Sequence, residues 1–213
     1  IQWWDGRLEK GDEEHHILSI TEKNGVKYKD PIKLPVFVFM GVDPASSTKQ
    51  TADYSTIVSI AVDADNNRYV LPYYRKHAKP MALAAAILNQ HRMYNPKRTH
   101  IESVGYQEML RDYLRNQERY IAGLEKKINP RTSKSSRLET MEPYFYKKSV
   151  FLKKGMEELR SELLMYPRGK HDDLLDGLYY AMLNLYKPYT KSTEDITKKE
   201  ANQPSQQFDW AVL

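Results

Sequence analysis

No cysteine occurs among the 213 residues. Disulfides, thiolate-bound metals and cysteine nucleophiles are therefore excluded together, and a reducing compartment is compatible with the composition. Long hydrophobic runs are also missing. The longest candidate is the short stretch from Pro35 to Val42, far below the roughly 18 apolar residues of a bilayer-spanning helix. No secretory leader and no internal repeat is visible, and the Ser46-Ser47-Thr48 run has no matching His and Asp arrangement for a serine nucleophile. Neither sign of charge dominates: 33 Lys and Arg stand against 28 Asp and Glu, a net of +5, beside 40% hydrophobic residues. That balance excludes a collagenous or wholly disordered chain and describes a globular domain with appendages. A start at Ile1 rather than Met reads as a piece of a longer or processed protein.

Strand and helix signals are clear in what remains. Asn24-Gly25 lies between two strand-like runs within His15 to Lys29, a type I′ hairpin signal, with Trp3 and Trp4 ahead of it as anchors. The apolar run Val36 to Val42, bounded by Pro35 and ending at Asp43-Pro44, reads as a strand buried on both faces. Ser55 to Asp63 reads as a second strand and Arg68 to Lys76 as a third, turned at Asn66-Asn67. Pro80 opens a helix running to about Tyr94, followed by a short strand over Thr99 to Glu102 and a helix over Gln107 to Gln117. Tyr120 to Leu124 and Val150 to Leu152 are further strand candidates, and Pro130 to Arg137 reads as a mobile loop. Met156 to Met165 and His171 to Tyr186 read as amphipathic helices. The expectation is an α/β fold with a mixed central sheet: residues 1–35 an N-terminal β-hairpin and linker, 36–186 the main domain, 187–213 a polar, flexible tail.

The acids fall where stability alone gives them little reason to be. Asp43 and Glu102 end buried strands, and Asp172, Asp173 and Asp176 open the last helix. A carboxylate beside a low-dielectric core is costly unless a cation pairs with it. At separations of three and four, the three aspartates can share the face of one turn, although Asp also caps helix N-termini and Asp172 is best placed to be only a cap. Hard oxygen donors without cysteine suit Mg²⁺ or Mn²⁺, and two such ions serve phosphodiester cleavage.

Gly41-Val42-Asp43-Pro44-Ala45, His100-Ile101-Glu102-Ser103 and His171-Asp172-Asp173-Leu174-Leu175-Asp176-Gly177-Leu178, with Tyr179-Tyr180-Ala181 behind, resemble the nuclease domain of tailed-bacteriophage large terminase subunits. The resemblance runs from about Val36 to Tyr186 and includes the order and approximate spacing of the three acidic blocks. It implies a ribonuclease-H-like fold, related to Holliday-junction resolvases, and a two-ion Mg²⁺ or Mn²⁺ cluster that cuts concatemeric double-stranded viral DNA during packaging. By the same resemblance, Asp43, Glu102 and Asp173 match the three catalytic acids and Asp176 a further acid of resolvase-like relatives. Asp172 completes the set of metal-ligand candidates. An ATPase motor domain, the small terminase subunit and the portal are the implied partners, in the host cell cytoplasm. The motor is not in this sequence: a phosphate loop needs Gly-x-x-x-x-Gly-Lys-Ser/Thr, and the nearest frame, Gly6 to Gly11, is followed by Asp12.

Charge is regional. From Lys126 to Lys170 there are twelve Lys and Arg against five Asp and Glu, an excess greater than that of the whole chain. Such a flank suits a polyanionic substrate. Lys134, Arg137, Lys147, Lys148, Lys153 and Lys154 are the candidate phosphate contacts, with Lys170 and His171 near the scissile group. Without a base-reading helix, little intrinsic sequence preference is expected. Two alternatives stand beside this reading: a junction resolvase, marked by four-way-junction preference and an obligatory dimer, and a catalytically idle DNA-binding or docking module.

Overall fold

The computed structural model describes residues 1–45, 54–102, 113–114, 116, 134–169 and 171–188, with the backbone alone at 134 and 135. Most of the expected helix over 107–117 lies outside the described residues, with 113 and 114 described and helical, as do the strand over 120–124, Lys170 and the tail beyond 188. Eight strands form one sheet: β1 (Gln2–Lys10), β2 (His16–Lys23), β3 (Val26–Asp43), β4 (Ser55–Val62), β5 (Arg68–Val70), β6 (Tyr74–Lys76), β7 (Arg98–Ile101) and β8 (Val150–Lys153). Among the described residues, the helices with full bounds are α1 (Pro80–Tyr94), α2 (Lys134–Tyr146), α3 (Glu157–Met165) and α4 (Asp173–Ala181).

The N-terminal ribbon is built into the sheet. Asn24 and Gly25 take φ of 51° and 83°, the doubly left-handed turn that a two-residue hairpin needs. β3 then continues without a break through Pro35, its first half pairing antiparallel with β2 and its second half lying between β4, antiparallel, and β7, parallel. β1 pairs with β2 and, in parallel, with β8, which pairs in parallel with β5. Because β5 also pairs with β4, the succession β4, β5, β8, β1, β2, β3 closes on itself, a ring that the sequence did not announce. Trp4 stands on the core-facing side of the ring, 1% exposed, donating from Nε1 to the Val70 carbonyl at 3.2 Å and meeting Tyr69 edge-on.

Three expectations are corrected. The third strand is interrupted at Leu71-Pro72-Tyr73, giving β5 and β6, since Pro72 has no N–H to offer a ladder. The segment read as a loop up to Arg137 is helical from Lys134, because Leu138, Met141 and Phe145 recur at helical spacing and pack on the core despite Pro143. The last helix is also shorter than expected, ending at Ala181 before a turn with Asn184 at φ 51°.

Side chains alternate along the strands, so the sheet has two apolar faces. Phe39, Val58, Ile60, Val62 and Leu152 face α2, α3 and α4, while Met40, Val42 and Ile57 face α1. No helix among the described residues is long and apolar enough to cross a membrane.

Candidate active site

Register brings the first two acids together. β3 and β7 run parallel with Val42 opposite Ile101, and the Glu102 N–H donates to the Val42 carbonyl at 3.1 Å. Asp43 and Glu102 are therefore next neighbours across the pair, on the face that Gly41 shares. That face carries α4. A Cβ on Gly41 would stand 2.2 Å from the Ala181 nitrogen and 2.2 Å from the Gly177 carbonyl oxygen. One on Gly177 would stand 2.7 Å from Thr56 Oγ1. Only glycine at both positions lets α4 rest this closely on β3 and β4. Thr56, opposite Asp43 in the ladder, donates from Oγ1 to the Asp173 carbonyl at 2.9 Å and fixes the start of the helix. His100 of β7 lies 3.0 Å from the Tyr180 carbonyl and ties down its last turn.

Asp43, Glu102, Asp173 and Asp176 thus gather at one end of the sheet, and Asp43, Asp173 and Asp176 are all buried. Burial and a carboxyl–carboxyl hydrogen bond to Glu102 push Asp43 well above the usual carboxylate range, with the charges of Asp176 and Asp173 acting in the same direction. Burial would raise Glu102 as well. The hydrogen bonds from Asp43 and Tyr180 and the charge of Arg137 outweigh it and hold Glu102 below its ordinary value. Within this pair, burial disfavours the charged form of Asp43, while Tyr180 and Arg137 favour the carboxylate of Glu102. Tyr180 donates to Glu102 Oε1 at 2.6 Å. Arg137 reaches in from α2, donating to Glu102 Oε1 at 3.1 Å and to Asp176 Oδ1 at 2.7 Å.

A second layer aims α4. Asp172 occupies the N-cap position without a side-chain cap bond, and its carbonyl accepts from the Asp176 N–H at 3.1 Å. The cap comes from another helix: Glu162 of α3 accepts from the Leu174 and Leu175 N–H groups at 2.9 and 3.3 Å. Burial raises Glu162 to about 7, against the pull of Arg75. Arg75 of β6 lies 3.3 Å from Glu162, 3.4 Å from Glu158 and 3.8 Å from Asp173, with its guanidinium over the Tyr54 ring. Tyr54 stacks on His77 and meets His171 edge-on, and His171 lies 3.8 Å from Asp173 at the margin of the acids. Sequence reasoning missed Arg75, Glu162 and Tyr180. An arginine in a short strand and a glutamate on an apolar helix face were the available signals for the first two.

The basic candidates separate. Arg137 is a buried partner of the acids rather than a solvent-facing phosphate contact. Lys153 donates to Asp5 at 2.8 Å and Lys154 to Glu22 at 3.1 Å, so both tie β8 and its following turn to the N-terminal ribbon. Lys147 and Lys148 are exposed but follow α2, where Ser149 accepts from Arg68 beside the Val62 end of β4. Thr56 and Val62 are six residues apart, roughly 20 Å along a strand, so these lysines stand at the far end of the sheet from Asp43. The Lys134 side chain and Lys170 lie outside the described residues.

Among the described residues, no three carboxylate or imidazole groups stand in a ready-made ligating arrangement. The donor set nevertheless fits a hard divalent cation. Asp43, Glu102, Asp173 and Asp176 lie at one end of the sheet, and a guanidinium already occupies a cation's place between Glu102 and Asp176.

A mixed sheet in which β7 runs parallel to β3 and β8 parallel to β1 and β5, carrying acids at the strand tips and on the opening turn of α4, makes an α/β domain. The sequence matches the terminase RNase H-like domain family over residues 40–185, and the chain belongs to that family. Among solved structures, the large terminase nuclease of thermophilic phage G20c is similar, with 16% identity, a TM-score of 0.56, and 86% of this chain and 95% of that chain covered. Its magnesium-bound form gives 16% identity and a TM-score of 0.55 over 84% of this chain and 91% of that one. The phage P22 large terminase nuclease domain gives 15% identity and 0.52 over 68% and 79%. At these identities the likeness concerns the fold. No curated protein sequence gives a significant match.

Proposed function

We propose that this domain is a metal-dependent endonuclease that cuts double-stranded DNA during viral genome packaging. The observation that carries the reading is the register that sets Asp43 and Glu102 side by side at adjacent strand tips, with the buried Asp173 and Asp176 brought over them by the opening turn of α4. Such a pair costs stability unless a cation is its functional partner. Asp43, Glu102, Asp173 and Asp176 would hold two Mg²⁺ or Mn²⁺ ions, and Asp172 stands beside them at the N-cap. Ions held there would activate water and neutralise the departing 3′ oxygen. The chain's own share is positional: Gly41 and Gly177 let α4 descend onto the strand tips, and Glu162 and Arg75 fix its first turn. His171 and Tyr54 flank Asp173 and are the side chains from which a phosphodiester would be approached.

The substrate and partners follow from the family. The G20c and P22 relatives are described as large terminase nucleases. An ATPase motor would deliver the DNA, with the small terminase subunit and the portal completing the assembly in the host cytoplasm. The test is plasmid nicking with Mn²⁺ and with EDTA. Wild-type protein should cut only with metal, and Asp43→Ala and Glu102→Ala should each abolish cutting while keeping the circular dichroism spectrum. Undiminished cutting by either variant would overturn the assignment.

A further inference from the structure

We infer that Arg137 is a built-in cation that closes the acidic site and must be exchanged for divalent metal. The inference rests on the metal-binding reading of the acids and goes beyond it in assigning α2 a regulatory part.

Arg137 bridges two carboxylates of different elements, Glu102 beyond β7 at 3.1 Å and Asp176 on α4 at 2.7 Å, with its side chain 8% exposed. Its fork is divided: one terminal nitrogen goes to each acid, and neither acid takes both, so the bidentate arrangement that makes arginine pairs strong is not used. Its Nε is buried without a hydrogen-bond partner among the described residues. The Tyr179 and Tyr180 rings flank it at 5.7 and 5.4 Å. The guanidinium is therefore held mainly by opposite charge, with its own hydrogen bonding incomplete.

A divalent ion held by Glu102 and Asp176 would need their carboxylate oxygens as donors. The terminal nitrogens of Arg137 stand 3.1 and 2.7 Å from those same oxygens. Two cations cannot share those lone pairs at such spacing without strong repulsion, so the two occupants exclude each other. Arg137 stabilises the metal-free domain by separating Glu102 from Asp176, and it sets the metal concentration at which the site loads.

The test is calorimetric titration of Mn²⁺ into the 213-residue protein and its Arg137→Gln, Arg137→Lys and Asp43→Asn variants, with thermal melts in EDTA and in Mn²⁺. Arg137→Gln should bind Mn²⁺ about tenfold more tightly than wild type, equivalent to about 1.4 kcal/mol. It should melt lower than wild type in EDTA and close that gap in Mn²⁺. Arg137→Lys, which keeps a charge but loses the two-armed bridge, should tighten binding about threefold and serves if the glutamine variant does not fold in EDTA. If wild type binds Mn²⁺ and Asp43→Asn does not, yet both Arg137 variants bind no more tightly than wild type, the exchange is refuted while the metal site stands. If wild type binds no Mn²⁺, or Asp43→Asn binds it equally well, the metal reading falls and the exchange with it.

Discussion

Replacing Gly41 with alanine tests the geometry of the whole site through one methyl group. The new Cβ would meet the Ala181 nitrogen and the Gly177 carbonyl oxygen at 2.2 Å each. Both obstacles are backbone, so no rotamer change relieves them, and α4 must lift by about 1.2 Å to restore ordinary contact. Overpacking of this kind costs about 1–3 kcal/mol, and the rigid neighbours place Gly41→Ala near the top of that range. For a domain of this size, about 3 kcal/mol lowers the melting temperature by roughly 6–12 °C. The consequence for chemistry is larger. Asp173 and Asp176 ride on α4 while Asp43 stays on β3, so lifting the helix pulls the acids apart, and a misplacement of about 1 Å costs about a hundredfold in rate. Differential scanning fluorimetry and plasmid nicking read the two effects. Gly25→Ala is the control: its Cβ would meet nothing within 4 Å. Its φ of +83° makes it cost about 1–2 kcal/mol, and nicking should be unchanged. A Gly41→Ala protein that melts within about 2 °C of wild type and nicks normally would refute the account of how α4 is seated.

Three further outcomes follow from the same structure. Asp43 holds its proton above the usual carboxylate range through burial and Glu102, so the unfolded chain releases that proton first. Stability of the metal-free protein should then fall as pH rises above about 4. Asp43→Asn should flatten that dependence and raise the melting temperature in EDTA at pH 7.5; a lower one would contradict the electrostatics. Glu162, raised from 4.5 to about 7 by burial, adds stability present below pH 4.5 and lost as pH passes 7. Loss of its cap in Glu162→Ala should cost about 1–2 kcal/mol in denaturant unfolding, with Glu162→Gln retaining most of the stability because its amide oxygen still accepts from the helix. Replacing Lys147 and Lys148 together with alanine should leave nicking and gel-shift affinity at wild-type values, since both stand at the end of the sheet remote from Asp43; a severalfold loss would mean that DNA reaches that end.

What was legible in the sequence was local. Asn24-Gly25 specifies a turn by its own backbone preferences, Pro80 opens α1 and Asn95, at φ 37°, ends it, so these elements were readable without knowing their neighbours. Asp43 and Glu102 stood out because each closes an apolar run, a placement that is anomalous within a few residues of sequence. α2 was obscured by its serine-rich start and by Pro143, although Leu138, Met141 and Phe145 carry a helical period. Ring closure depends on β1 meeting β8, nearly 150 residues away, and no local pattern encodes that pairing.

The basic residues show why composition misleads at this range. Between Arg137 and Glu162 the chain travels from the acidic end of the sheet to the other end and back, so charges adjacent in sequence serve unrelated ends. Lys153 and Lys154 secure the ribbon, and Arg137 neutralises the acids. Each of these pairings satisfies a specific carboxylate that the fold has already placed. A buried or half-buried acid needs a cation nearby, so the positions of Asp5, Glu22, Glu102 and Asp176 select which lysines and arginines turn inward. The positive excess available to a polyanion is what remains after that selection. Of the eight basic candidates, the one nearest the acids in the described structure with an exposed margin is His171, 3.8 Å from Asp173. On the proposed reading, such a site would lean on delivery of the DNA by a motor more than on its own positive charge.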